Sequence, residues 1–464
     1  MARLGRRKFL GYGSAVASSS LFLKACAPDL AELDNIIASK DNSATTPTAA
    51  DGAIPIAEAN PEANKESDTI KVGLLHSLSG TLAMSEAPLV EAELLAIEEI
   101  NAAGGLLGKQ LIPIKEDGAS DWPTFAEKAE KLLTQHRVGS RFGGMTTASR
   151  KAILPVVQAK NRLLWYPGAY EGQECSDHIF YGGPTANQQI EPAINWMLGN
   201  RGKSYFLLSA NDRTAHDIAK SVLRAKGGKV AGEAFVPLAN SGTPNMSPVV
   251  SDIQQALPEG GIIFNGLVGT QNRVFFKELR SAGLSASQYL VISVRLGEED
   301  VFQIGKSFLQ GHYAASTYFQ TVERPENEAW IQAFQNRYGF DRVVSGSMEN
   351  AYSLVQLWAQ TVRQAESFET GDLRAAAYEQ TYESPGGPIS MSRNHHTAQF
   401  AYVGKVRGDG LFDIVWESPS AIAPQPWSQQ ISSSRGFLCD WSDPDKGGKY
   451  REIAEPEPNN RQAK

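Results

Sequence analysis

The sequence predicts an α/β protein built as two doubly wound, parallel-sheet lobes, and three observations lead there. Short apolar runs bounded by turn residues alternate with helical stretches of ten or more residues. Parallel strands require such crossovers before the next strand can pair. The alternation comes in two series, and about 440 residues remain once an N-terminal leader is set aside, enough for two compact lobes. With 42 % hydrophobic residues, the chain can fill both cores.

The leader occupies residues 1–26. Arg6-Arg7-Lys8-Phe9-Leu10 is a basic start with a twin arginine, and the apolar stretch that runs on to Leu23 is too short and too polar to stay as a membrane span. Leu23-Lys24-Ala25-Cys26 resembles a bacterial lipobox, in which Cys26 becomes the acylated N-terminus; an ordinary export signal, with no role for Cys26, is the alternative. Either way the protein is expected outside the cytoplasm, with the lipobox placing it in the periplasm on a lipid anchor. Residues 27–68 are rich in Ala, Ser, Thr, Asn, Pro and acids, which reads as a flexible tether. No later run is apolar enough to cross a bilayer.

The first series opens with a strand at 70–75 and a polar loop at 77–80. A helix follows with Val90, Leu94 and Ile97 on one face, closed by Gly104-Gly105. Next come a strand at 111–115, a helix capped by Asp121 with Pro123 in its first turn, a strand at 138–142, a helix at 149–159 and a strand at 163–166. The second series begins near Gln189. It runs as helix to Leu198, strand 204–208, helix 215–225, strand 230–236, helix 247–257, strand 261–264, helix 272–282 and strand 289–293. Ligands of open parallel sheets sit at the carboxyl ends of strands, so the loops to examine are 77–81, 145–149, 167–172, 209–214, 266–271 and 294–298.

Net charge −7 and the lack of a Lys/Arg stripe exclude a nucleic-acid surface. Catalytic signatures are missing too: there is no phosphate-binding glycine loop, no nucleophile elbow, and no set of nucleophile, base and orienter, so the chain reads as a non-enzyme without a cofactor. The three cysteines form no metal site; besides Cys26, Cys175 and Cys439 either pair in an oxidising compartment or stay free. The adjacent His395 and His396 read as a solvated turn rather than a metal site, since neighbours in sequence point apart.

The informative corner is Gly143-Gly144-Met145-Thr146-Thr147-Ala148-Ser149. Two glycines let the chain turn tightly after a strand, and three hydroxyls crowd the first turn of a helix, where they can bind a ligand or simply cap the helix. Tyr166-Pro167-Gly168-Ala169-Tyr170-Glu171-Gly172 adds an aromatic wall with an acidic neighbour, although an aromatic after a strand also serves as core.

At these residues the chain resembles the substrate-binding lipoproteins of bacterial urea ABC transporters, of the cyanobacterial type, within the branched-chain amino acid and amide receptor family. The resemblance spans about 70–426 and rests on the runs 70–81, 98–105, 116–128, 146–152, 170–172, 187–189, 385–388 and 412–416. It implies a type I periplasmic binding protein: a clamshell with three hinge crossings that shuts around a small molecule and hands it to a permease driven by ATPases. The lobes are then 69–188 with 318–392, and 189–317 with 393–418, followed by a C-terminal extension at 419–464 in which 432–450 packs on the body. The resemblance also implies ligand contacts from Ser79, Met145, Thr146, Thr147 and Tyr170 on one lobe, and from Asn211, Asp212, Arg295 and Glu298 on the other. Three departures stand out. Met145 replaces an aromatic, the loop at 209–213 is shortened, and Arg295-Leu296-Gly297 stands where Ser or Thr residues are usual. Urea or a short amide is the expected ligand. The arginines Arg213 and Arg295 keep a small carboxylate-bearing solute such as an amino acid open, and a ligand-responsive amide sensor is a further alternative.

Overall fold

The computed structural model describes residues 68–210, 213–238 and 244–452. The leader with Cys26, the tether up to residue 67, Asn211, Asp212 and the last twelve residues lie outside them.

The first half is as regular as the alternating pattern demands. β1 (Thr69–His76), α1 (Ala83–Ala102), β2 (Gln110–Asp117), α2 (Trp122–Thr134), β3 (Ser140–Gly143), α3 (Thr147–Ala159), β4 (Leu164–Tyr166) and β5 (Ile179–Tyr181) follow in order. Asp121 caps α2, its carboxylate accepting from the Thr124 backbone N–H at 3.1 Å. These five strands form one parallel sheet, ordered β2-β1-β3-β4-β5. Three-residue β5 escapes pattern reading because it is too short to show a period.

The second half contains α4 (Ala186–Asn200), β6 (Ser204–Ala210), α5 (Arg213–Ala225), β7 (Lys229–Val236), α6 (Ser247–Ala256), β8 (Gly261–Gly266), α7 (Thr270–Ser281), β9 (Tyr289–Ser293), α8 (Glu298–Ile304), α9 (Lys306–Leu309) and β10 (Tyr313–Ser316). The chain then returns through α10 (Pro325–Tyr338), α11 (Gly346–Ala365), α12 (Thr370–Ala377), β11 (Thr381–Ser384), β12 (Gly387–Met391), β13 (Thr397–Ala398), β14 (Tyr402–Val406) and β15 (Phe412–Glu417). The second sheet runs β15-β14-β10-β9-β8-β6-β7; β14 and β15 join antiparallel, so this sheet is mixed at one edge. Each sheet reverses its strand order once, between β1 and β3 and between β6 and β8. Those reversals open the crevices where loops can receive a ligand.

The faces of the first sheet are covered differently. Phe125 and Leu132 of α2 and Ile153 and Val157 of α3 pack on Leu75 and Leu164. On the other side α1 and the returning α11 close the sheet, with Trp358 meeting the Phe142 ring edge-on at 5.5 Å.

One expectation needs correction. His395 and His396 are fully buried rather than a solvated turn: His395 stacks on Phe180 at 4.2 Å and His396 on Tyr181 at 4.1 Å. Burial pulls both imidazoles down to about 3, so they pack as neutral aromatics. The His396 backbone also bridges to Tyr181, and β13 pairs with β12 in a small sheet with β11.

His76 ends β1 and ties it to α1. Its Nε2 lies 2.9 Å from Glu93 Oε1 and its Nδ1 3.8 Å from Glu86 Oε2, all three side chains being fully buried. Burial lowers the imidazole pKa, but the two carboxylates outweigh it and raise it from 6.5 to about 10. A folded-state value above the unfolded one stabilises fully below pH 6.5 and loses that contribution as pH rises through about 10. His76→Gln is therefore expected to cost about 3 kcal/mol in guanidinium unfolding at the low end of that window. The gap to the wild type should close toward its upper end, and a gap independent of pH would contradict the pairing.

Candidate functional site

The site is assembled from the carboxyl ends of β3 and β4 on one side and of β6, β8 and β9 on the other. After β3 the chain turns at Gly143, with φ +142°, where a Cβ would lie 1.9 Å from the Leu75 carbonyl oxygen. Only glycine allows that approach. The three hydroxyls that follow divide their work. Thr146 caps α3 by accepting from the Ser149 N–H at 3.1 Å, and the Ser149 hydroxyl accepts from the Thr146 N–H at 3.1 Å, a reciprocal capping box. Thr147 is left to point outward, and its hydroxyl donates to Glu171 Oε2 at 2.5 Å.

Glu171 is the residue that sequence reasoning undervalued. It was legible only as an acid beside Tyr170, yet its carboxylate is buried and lines two adjoining cavities. Beneath it lies Arg150, fully buried, whose Nε donates to Glu174 Oε1 at 2.8 Å and whose Nη2 donates to Glu171 Oε1 at 3.4 Å. The guanidinium also sits over the rings of Tyr166 and Tyr170 at 5.1 and 4.5 Å. Burial pushes the Glu171 carboxyl up; Arg150 foremost, then the Thr147 hydroxyl and Arg295, outweigh it and hold the group below the ordinary carboxylate value.

Arg295, in the loop after β9, lines all three neighbouring cavities and is the point on which they converge. The innermost holds only about 30 Å³, with Met145, Gln189, Thr317 and Asn350 among its walls. The outer cleft is wider and includes Thr146, Thr147, Lys151, Glu171 and Arg213. Gln189 of α4, Thr317 just after β10 and Asn350 of α11 are not among the expected contacts, although Gln189 falls in one of the runs that carry the resemblance.

The expected contacts separate accordingly. Met145, Thr146, Thr147, Tyr170 and Arg295 meet at these cavities. Tyr170 offers its ring rather than its hydroxyl, which is engaged by the Glu174 carbonyl at 2.5 Å and His396 Nε2 at 2.8 Å. Ser79 lines none of the three; its hydroxyl donates to Asp117 Oδ2 at 2.7 Å, and with the Leu78 and Ser79 N–H groups it clasps that carboxylate to fix its own loop. Glu298 also stays out of them. It is buried behind Gly297, accepts from the Gln320 N–H at 2.7 Å, and burial raises its carboxyl to about 8. Asn211 and Asp212 lie outside the described residues. Cys175 and Cys439 are joined by a disulfide across 264 residues of chain. Among the described residues no cluster of His, Cys, Asp or Glu would hold a metal ion, and no helix is long and apolar enough to cross a membrane.

Parallel sheets whose strand-end loops face one another across a narrow polar cavity define a cleft-type binding protein of the type I periplasmic fold. The chain belongs to the family described as the periplasmic binding protein domain, which it matches over residues 70–433. It is 24 % identical to the leucine-, isoleucine-, valine-, threonine- and alanine-binding protein of Pseudomonas aeruginosa over 348 residues, 72 % of this chain and 89 % of that one. A solved ABC-transporter solute binding protein of Rhodopseudomonas palustris, in complex with 3,4-dihydroxybenzoic acid, shares the fold with a TM-score of 0.68 at 22 % identity, covering 77 % of this chain and 99 % of that one. A stretch of 123 residues is 36 % identical to limonene hydroxylase of Geobacillus stearothermophilus; it takes in 26 % of this chain and spans about a quarter of that protein, 23 %.

Because Arg150 balances two acids in a buried setting, Arg150→Met should destabilise the protein by about 3–5 kcal/mol in guanidinium unfolding. A depressed carboxyl stabilises above its ordinary value of 4.5 and loses that contribution as pH falls. The deficit of Arg150→Met should therefore be largest at neutral pH and shrink on acidification. A deficit that grows toward low pH would show that Glu171 does not depend on Arg150.

Proposed function

We propose that this protein is the extracytoplasmic receptor of an ABC importer and that it binds urea or a short-chain amide between two lobes. The observation that carries the reading is the opposition of Glu171 and Arg295, which line the same two cavities, with the Thr147 hydroxyl donating to Glu171. Urea and simple amides present N–H donors at one end and a carbonyl acceptor at the other. A carboxylate serves the first and a guanidinium the second.

Charge supports the same class. Arg150 pairs with Glu171 and Glu174 and Arg295 faces Glu171, so the charges beside Glu171 cancel and a net-charged solute there would leave one uncompensated; Lys151 and Arg213 add positive charge to the outer cleft. An aromatic acid of the kind bound by the Rhodopseudomonas protein is disfavoured on that ground. A zwitterion is not: the ammonium and carboxylate of a small amino acid could span Glu171 and Arg295, and an amino-acid ligand is what the Pseudomonas relative's name states.

In this mechanism lobe one comprises 69–188 with 318–392, and lobe two 189–317 with 393–418. An open form exchanges with a closed one, and the solute favours closure because both lobes contact it. The closed shape then docks on the permease. The leader's twin arginine and Cys26 support a lipid-anchored periplasmic location, which a cytoplasmic amide sensor would not need.

Calorimetric titration with urea, acetamide, glycine, alanine and benzoate separates the readings. Urea or acetamide should bind, Glu171→Gln should weaken binding by about 10- to 100-fold through loss of a charged acceptor, and benzoate should be silent. Heat only from the amino acids would move the assignment to the zwitterion.

A further inference from the structure

We propose that residues 419–452 form a strap that positions the Tyr170–Glu171 loop from outside and thereby sets the affinity of the cleft. The affinity part rests on Glu171 being a ligand contact, as argued above.

Between β4 and β5 the chain runs without helix or strand from 167 to 178, although it carries the charged group at the centre of the site. A loop of that kind needs external partners for its backbone if its side chains are to hold one geometry. Much of that support comes from far along the sequence. The Gln173 N–H donates to the Pro426 carbonyl at 2.7 Å, only two residues beyond Glu171. At Gly172 the same carbonyl oxygen lies 2.5 Å from where a Cβ would stand, so strap and loop are in closer contact than a side chain would permit. Two residues further, Cys175 is bonded covalently to Cys439.

The strap is itself anchored. The Asn187 side chain donates to the Ala423 carbonyl and accepts from the Gln425 N–H, both at 2.9 Å, holding the extended backbone just before Pro426. The Trp441 N–H donates to the Arg393 carbonyl at 2.8 Å on the far side of the disulfide. Asn187 does not itself line the cavities; its two strap bonds reach the ligand loop through the strap, while its Oδ1 also accepts from the Thr185 hydroxyl at 2.7 Å.

The test uses the full-length protein and two variants that loosen the strap differently: Cys175→Ala with Cys439→Ala, and Asn187→Ala. Hydrogen exchange of the Tyr170 and Gln173 amides in the ligand-free protein is the first readout, and it does not depend on the solute's identity. Both variants should exchange there at least about 10-fold faster through local opening; unchanged protection in both would overturn the proposal. The second readout is titration with urea and acetamide, alone and combined with Glu171→Gln. Each strap variant should weaken binding about 10-fold, and the loss should largely vanish in the Glu171→Gln background, since both changes act on one contact. Additive losses would overturn positioning through Glu171. If Glu171→Gln itself leaves binding intact, the assignment of Glu171 fails and the affinity claim with it, whereas loss with Glu171→Gln but none with the strap variants defeats the strap alone.

Discussion

A guanidinium with no access to water lies at the centre of this structure, and much of the site follows from how its charge is met. Arg150 reaches its place because α3 is capped by the two residues before and beside it, Thr146 and Ser149, which fixes the first helical turn. There it pairs with Glu171 and Glu174, both from one irregular loop, and lies against the faces of Tyr166 and Tyr170. Uncompensated, any one of these charges would be too costly to bury, so helix and loop are specified together. The Glu171 carboxylate, partly spoken for by Thr147, also lines a cavity that it shares with Arg295.

Around that centre, short polar clasps do the work of holding loops at strand ends. Asp117 gathers the backbone after β1, His76 joins the end of β1 to α1, and Asn265 of β8 donates to Asn272 at 2.9 Å and to Ser293 of β9 at 2.9 Å. These groups look like binding residues in sequence, since they are polar and lie beside a cleft. Their partners are within the protein instead. Glu171 and Arg295 differ in that they line the cavities themselves.

The residues whose surroundings differ from the sequence reading share a cause. Ser79 and Glu298 sit in loops that do reach the crevices, but which way each side chain turns depends on Asp117 in one case and the Gln320 N–H in the other, both distant in sequence. His395 and His396 have the composition of a surface turn and are buried because β5 happens to present Phe180 and Tyr181 to them. Glu171 was visible as an acid after an aromatic; that it is the pivot of the site depends on Arg150, twenty-one residues before it.

By itself the sequence determined the lobed α/β architecture, the order of its strands and helices through β9 apart from β5, and the loops in which a site had to lie. Those features follow from local periodicity, capping and the connection rules of parallel sheets, which act over a few to a few tens of residues. Only the tertiary structure decided which side chains in those loops are spent on the protein and which are turned to the cavity. It also decided that a segment near the C-terminus grips the loop carrying Glu171. Such choices depend on desolvation and on partners brought together from distant parts of the chain, and no short window of residues contains that information.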